Sequence, residues 1–406
     1  MKKLFLFFAV LLATSVLFAQ KAENLALTPP MGWNSWNTFG VEINEQLIKD
    51  IADIFVSTGL KEAGYEYVVL DDGWMDMQRD AHGNLLPHPV KFPNGIKAVA
   101  DYVHSKGLKF GLYNCAGSKT CAGYPGSRGH EYQDAAKYAE WGADFLKYDW
   151  CNTEKLTTEG AYMTMRDALY ATGRPFLFSI CEWGGTSPWL WAAPIGHIWR
   201  STGDIGPHFG DFKKNPNSWN PMSVLEIIDK NPQNEVRKYA GAGHWNDMDM
   251  LEVGNEGLDL YENQSHFALW AMLNSPLMLG NDLREMTKET LAILTNKDII
   301  SLNQDKLGIQ GFIYAQEGAV QIFVKPLANG EWAVQFLNRS ENPAELTFDW
   351  NGKTFKDEIF GYEIAFSKDN VRKIKDLYLG KEIGKTSSPT KIKLAKHQSL
   401  VVRLLK

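Results

Sequence analysis

The feature that most constrains this chain is a beat of apolar runs, helix-like stretches and stopping glycines. It recurs roughly every 30–40 residues from about position 28 to about 300, the rhythm of βα units around a parallel sheet. Tyr65 to Leu70 reads as a strand, and Asn94-Gly95 opens a helix through Val99 and Val103 that stops at Gly107. Leu108 to Tyr113 is the next strand. A helix spans Glu131 to Trp141 and ends at Gly142, where a left-handed residue closes the last turn. Phe145 to Tyr148, Phe176 to Ile180 and His197 to Arg200 are further strands. A helix lies over Tyr162 to Tyr170 with its stop near Gly173, and another near Glu235 to Tyr239 ends at Gly241 and Gly243. A run of about 280 residues in this rhythm predicts a (β/α)8 TIM barrel rather than a small open sheet.

The pattern changes after about residue 308, where strand-like runs follow one another directly. Ala319 to Val324, Trp332 to Leu337 and Ser399 to Leu404 alternate in the strand manner, and Asn329-Gly330 and Asn351-Gly352 carry hairpin chemistry. The expected organisation is a catalytic barrel over residues 20–307 and a C-terminal antiparallel β-sandwich over 308–406.

Polar and aromatic groups close almost every barrel strand: Asp71-Asp72-Gly73-Trp74, Tyr113, Lys147-Tyr148-Asp149-Trp150, Glu182-Trp183, Arg200 and Asp247-Met248-Asp249. The C-terminal strand ends are the active face of such a barrel. Residues two apart on a strand share a face, so Lys147 and Asp149 point into the mouth together while Tyr148 points away. The lysine is expected to keep its neighbour ionised. Asp247 and Asp249 share a face by the same argument, and Asp204 follows Arg200 in a loop.

Asp71, Asp72, Asp149, Asp204 and Asp249 cannot all ionise freely in one site. Paired carboxylates with split pKa values are what glycosidic cleavage needs, one to attack and one to give a proton. Oxygen ligands of this kind also suit a divalent cation, but Lys147 and Arg200 would repel it. No Cys-x-x-Cys or His-x-x-x-His spacing marks a metal site. Fourteen Trp and fifteen Tyr supply ring faces for packing and for stacking on a sugar.

With a formal charge of −6 and no basic run beyond the first residues, nucleic acid and anionic membranes are poor partners. Residues 1–19 read as a signal peptide, with Lys2 and Lys3, an apolar stretch from Leu4 to Leu12, and Ala19 before the cut. Export to the periplasm or the exterior places Cys115, Cys121, Cys151 and Cys181 in an oxidising compartment, where spacing leaves their pairing open.

Taken in order, several segments resemble the α-galactosidases of glycoside hydrolase family 27, the melibiase group. They are Pro30-Met31-Gly32-Trp33-Asn34-Ser35-Trp36, Asp71-Asp72-Gly73-Trp74, Gly111-Leu112-Tyr113, Lys119-Thr120-Cys121-Ala122-Gly123, Leu146-Lys147-Tyr148-Asp149, Cys181-Glu182-Trp183-Gly184, Trp199-Arg200 with Asp204, Trp245 to Leu251, and Ser275-Pro276-Leu277 with Asn281-Asp282-Leu283. The resemblance implies a retaining, exo-acting enzyme that removes terminal α-linked galactose from oligo- or polysaccharides without a cofactor. Asp149 would be the nucleophile and Asp204 the acid/base. Asp71 and Asp72 would bind the 4- and 6-hydroxyls, Lys147 the 3- and 4-hydroxyls, and Arg200 would sit near the 2-hydroxyl. Trp36, Tyr113 and Cys121 would line the pocket, and Asp249 would close it.

The resemblance also implies a Cys121–Cys151 disulfide. Gly73 departs from the pattern, because many eukaryotic members carry a disulfide cysteine there. Rival readings on the same scaffold are an α-N-acetylgalactosaminidase, a β-L-arabinopyranosidase or a non-catalytic carbohydrate-binding protein. Large Glu182 and Trp183 beside the 2-position argue against an acetamide there, and the persistence of both catalytic carboxylates argues against a merely binding protein.

Overall fold

The computed structural model describes residues 21–230 and 236–406. The signal-peptide expectation falls on residues outside these. No helix among the described residues is long and apolar enough to cross a membrane.

Eight parallel strands form the barrel: β1 Met31–Asn34, β2 Tyr67–Leu70, β3 Lys109–Cys115, β4 Phe145–Asp149, β5 Leu177–Cys181, β6 Ile198–Arg200, β7 Trp245–Asp247 and β8 Leu277–Leu279. Hydrogen bonding runs in the order β7-β6-β5-β4-β3-β2-β1-β8. The seam between β7 and β8 is closed by the parallel bridge Leu251–Leu279, with Leu251 N–H donating to Met278 O at 2.7 Å. Strands buried on both faces need continuous apolar runs, and β2 (Tyr-Val-Val-Leu) is one. Inside the barrel, Tyr67, Val69, Phe145, Leu177, Ile198, Trp245, Met250 and Met278 form an apolar floor. Lys147, Asp149 and Arg200 stand above it, toward the C-terminal strand ends.

The helix Glu131–Trp141 ends where expected, at Gly142 with φ 85°, whose N–H reaches back to Ala139 O and Tyr138 O. The helix read near Glu235 to Tyr239 lies partly outside the described residues. Its described part, Arg237–Tyr239, is one 3₁₀ turn, and a helix at Val224–Lys230 precedes it. At seven residues that helix is too short to show a period in the sequence.

The C-terminal region is a sandwich. Its larger sheet is antiparallel, ordered β16-β15-β18-β11-β10-β9. These strands are β9 Phe312–Glu317, β10 Val320–Pro326, β11 Trp332–Asn338, β15 Lys373–Asp376, β16 Lys381–Lys385 and β18 Ser399–Leu405. Facing it are the pairs β12–β17 (Ala344–Phe348 with Thr390–Leu394) and β13–β14 (Thr354–Lys356 with Glu363–Ala365). Phe336, Phe348, Trp350, Phe355 and Phe366 fill the space between the sheets. Asn329-Gly330 makes the β10–β11 turn, with both residues at positive φ. Asn351-Gly352 does not make a hairpin, a correction to the sequence reading. The strands on either side of it pair elsewhere, and Gly352 N–H bonds to Phe366 O.

Strand β10 is buried on both faces because two cores claim it. Ile322 and Val324 face the sandwich, while Phe323 joins the barrel core. The helix Leu260–Met272 packs against this second face. It is buried almost all round, as expected of a helix enclosed by two layers. Between the regions, Arg237 forms a bidentate pair with Asp357 at 2.8 and 2.6 Å. His397, from the β-sandwich, bonds to Glu262 at 2.7 Å and stacks on Phe209, 4.7 Å between ring centres.

Candidate active site

The parallel register sets the site. Tyr113, Lys147 and Ser179 stand at one level of β3, β4 and β5, and Cys115, Asp149 and Cys181 at the next. Lys147 and Asp149 face inward, while Tyr148 is fully buried against Tyr162 and Phe178 in the outer layer. A pocket at the strand ends is walled by Trp36, Asp71, Tyr113, Cys121, Lys147, Asp149, Trp183, Arg200, Asp204 and Asp249. A larger cavity, about 580 Å³, lies at the opposite ends of β5 and β6 between Lys21, Arg174 and His197. It holds no pair of facing carboxylates, so size does not identify the chemistry.

Each carboxylate is fixed. Asp149 accepts from Trp150 N–H at 2.8 Å on one oxygen and from the Tyr113 hydroxyl at 3.0 Å on the other. Asp71 accepts from Asn34 Nδ2 at 2.7 Å and from Lys147 Nζ at 2.9 Å. Arg200 spans two partners, Asp204 and Asp249, each at 3.0 Å. Asp249 also accepts from Ile205 N–H at 2.8 Å.

Burial dominates the electrostatics. It pushes the Asp149 carboxyl up to about 6, against the pull of Lys147 and the Trp150 N–H. Lys147 favours the ionised form of Asp149, as expected, but its ammonium bonds to Asp71 and burial outweighs its field at Asp149. Burial likewise raises Asp247 to about 6 against Arg200, and it raises Asp249 against the same guanidinium. Burial works against the charges of Lys147 and Arg200 too, but neighbouring carboxylates, Asp71 and Asp249 first, hold both pKa values well above the ordinary.

Two sequence-predicted residues stand behind the wall rather than on it. Asp72 is buried, accepting from Gly73 N–H at 2.8 Å and Ala122 N–H at 2.9 Å, and burial raises its carboxyl to about 6. Glu182 is buried as well and accepts from Thr186 N–H and Oγ1 at 2.8 and 3.0 Å. The bulk attributed to Glu182 beside the sugar is thus supplied by Trp183, which a left-handed φ of 57° turns inward. Asp249 is also reached differently from the strand argument. β7 ends at Asp247, and a left-handed turn, φ 79°, carries Asp249 to the pocket.

Sequence reasoning missed Asn37, Cys181, Ile205, Trp219 and Met250 on the wall. Cys181 was within reach, since it pairs in register with Asp149. Trp219 carried no signal, because it lies far along a polar loop. Cys121 and Cys151 are joined, and Cys115 and Cys181 are free and buried. The joined sulfurs lie within 4.8 Å of an Asp149 oxygen, but a disulfide offers no thiolate to a metal.

Comparison with known proteins agrees with this geometry. A family model described as alpha galactosidase A matches residues 28–305, and one described as the alpha galactosidase C-terminal beta sandwich domain matches 317–404. The chain is 52% identical to alpha-galactosidase A of Cellvibrio japonicus, over 95% of this chain and 94% of that protein. The crystal structure of alpha-galactosidase I from Mortierella vinacea superposes with a TM-score of 0.86 at 37% identity, covering 94% of this chain and 98% of that one. An alpha-galactosidase structure from Saccharomyces cerevisiae with raffinose gives 0.83 at 31% identity, covering 94% and 98%. This chain belongs to the melibiase family of glycoside hydrolases, the family 27 α-galactosidases.

Proposed function

We propose that this protein is a retaining, exo-acting α-galactosidase in which Asp149 attacks and Asp204 transfers protons. The observation that carries the role assignment is a difference in depth. Asp149 is 6% exposed and held on both oxygens, whereas the Asp204 side chain is 37% exposed at the mouth. A nucleophile benefits from a fixed position, and an acid/base needs access to the leaving group and then to water.

In the first step a bond forms between the Asp149 carboxylate and the anomeric carbon. The bond to the leaving oxygen breaks, and that oxygen takes the proton of Asp204. Asp149 is now a neutral ester, so Asp204 has lost a negative neighbour and accepts a proton from water. The water oxygen bonds to the anomeric carbon, and Asp149 leaves with its electron pair. Two inversions give retention. Asp71 and Lys147, bonded to each other on one wall, suit adjacent hydroxyls, and Arg200 suits the 2-hydroxyl.

Cys181 lies against Arg200 and Trp183 lines the same pocket, bulk that disfavours an acetamide at the 2-position. The domain boundary near residue 307 and export directed by residues 1–19 belong to the same proposal.

Proton NMR of early product from an α-substrate is expected to show α-galactose; β-galactose first would overturn retention. Asp204→Ala is expected to keep turnover on good leaving groups, with azide rescue, and Asp149→Ala to be inactive on all. Equal losses on an activated substrate would remove the assignment. Faster hydrolysis of nitrophenyl α-N-acetylgalactosaminide or β-L-arabinopyranoside than of the α-galactoside would change the substrate.

A further inference from the structure

Beside the catalytic pocket stands one large apolar side chain that the protein leaves in water. Trp219 is 70% exposed, yet it lines the same pocket as Asp149 and Asp204. An exposed indole at a functional mouth calls for an explanation that its surroundings supply.

Its place follows from how the loop after Asp204 is closed. Met222 N–H donates to Asp204 O at 2.8 Å, and Gly206 N–H donates to Met222 O at 3.0 Å. Ile205 and Met222 thereby form a parallel bridge. The loop leaves Asp204, runs outward and returns to it, and Trp219 is three residues before that return. The outer end is braced by Asn220, which accepts from Asn215 N–H at 2.8 Å and donates to Asn215 O at 2.7 Å and Ser218 O at 2.8 Å. The indole is therefore carried on a pinned turn above the proposed proton donor. Lys147, bonded to Asp71, and Arg200 also line the deeper cavity beneath, which Trp219 does not reach.

We infer that Trp219 is the platform for the leaving-group saccharide, stacking its ring on the apolar C–H face of the sugar next to the bond that is cut. The inference rests on the α-galactosidase reading, since Asp204 marks the leaving-group side only if it is the acid. A terminal galactose fills the inner pocket and its hydroxyls meet charged groups. The next sugar projects past Asp204 and meets an indole face, which tolerates many sugars because every pyranose has an apolar face. The preference it confers is for saccharide over small alkyl leaving groups.

The test compares raffinose with methyl α-galactoside in wild type, Trp219→Ala and Trp219→Phe. Trp219→Ala is expected to lower the raffinose to methyl α-galactoside ratio of kcat/KM about tenfold, through KM, the size of one lost ring contact. Trp219→Phe should recover most of that ratio, and the inhibition constant of free galactose should stay within about twofold. In an Asp149→Asn background, raffinose should shift the tryptophan emission beyond the shift that galactose causes through Trp36 and Trp183, and Trp219→Phe should abolish that excess. Equal losses on both substrates would overturn the inference, because the indole would then be supporting the Asp204 loop. An unchanged ratio would overturn it too. Absence of α-galactoside hydrolysis in wild type would instead strike the parent reading, and this one with it.

Discussion

At the barrel mouth two cations, Lys147 and Arg200, stand among the carboxylates of Asp71, Asp149, Asp204, Asp247 and Asp249. Where the β-sandwich meets the barrel, Arg237 faces one carboxylate, that of Asp357, through two hydrogen bonds of 2.8 and 2.6 Å. Burial would raise Asp357, but Arg237 and the N–H groups of Ile359 and Phe360 hold it below the ordinary carboxylate range. At the mouth the balance goes the other way, and Asp149 and Asp247 end near 6. One arginine for one aspartate stabilises a junction. One arginine shared by Asp204 and Asp249 leaves negative charge in excess, which stabilises an oxocarbenium-like transition state better than it stabilises the fold.

The largest expected effect is at the mouth. Asp149→Asn removes the proposed nucleophile and should lower kcat on nitrophenyl α-galactoside at least about a thousandfold. The same change should leave the unfolding midpoint at pH 7 equal or higher. The Asp149 carboxyl is raised to about 6, so its ionised form at pH 7 opposes the fold by about 3 kcal/mol. A clear drop in midpoint would break the contrast between the two regions.

Next in size is the junction. Arg237→Ala should cost about 3–5 kcal/mol in denaturant unfolding, because Asp357 is left buried without its partner. Its kcat should stay near that of wild type. Third, Cys121→Ser with Cys151→Ser opens a loop of sequence separation 30 and should cost about 2–4 kcal/mol. Here kcat/KM should fall as well, since Cys121 lines the pocket. Unaltered kinetics would place the disulfide with the junction rather than the mouth.

The smallest effect is a shift along the pH axis. As the proposed nucleophile, Asp149 would have to be ionised, so kcat/KM should fall as pH drops through about 6. Lys147 lowers the Asp149 pKa, so Lys147→Met should move this acid limb to higher pH by about one unit, whatever it does to binding. Arg237→Ala should leave the limb where it is.

Much of this was legible in the sequence, for physical reasons that can be named. Glycine stops such as Gly142 and two-residue alternation such as Lys147–Asp149 are local rules, and the structure follows them. What stayed hidden depends on positive-φ turns and register. Nothing local in Met248-Asp249 announces a φ of 79°, and nothing in Glu182 says that its carboxylate will be taken by Thr186. Asn351-Gly352 has hairpin chemistry, but its flanking strands found partners at β17 and β14, a choice made by the sandwich core. The site roles at the strand ends came from a resemblance in motif order, and the interdomain contacts of Arg237 and His397 had no sequence signal at all.

Strand β10, with one core on each side, bears on how such an enzyme can be shortened. Phe323, Leu327, Ala333, Leu337 and Val401 belong to the barrel's core although they are carried by the C-terminal region. A gene trimmed after the last barrel helix would uncover the apolar side of Leu260–Met272, and the stacking partner of Phe209 would go with it. The product would be an aggregating fragment rather than a minimal catalyst. Engineers seeking a smaller galactosidase have more room in the exposed strand β16, at the far edge of the sheet, than at the proposed boundary near residue 307.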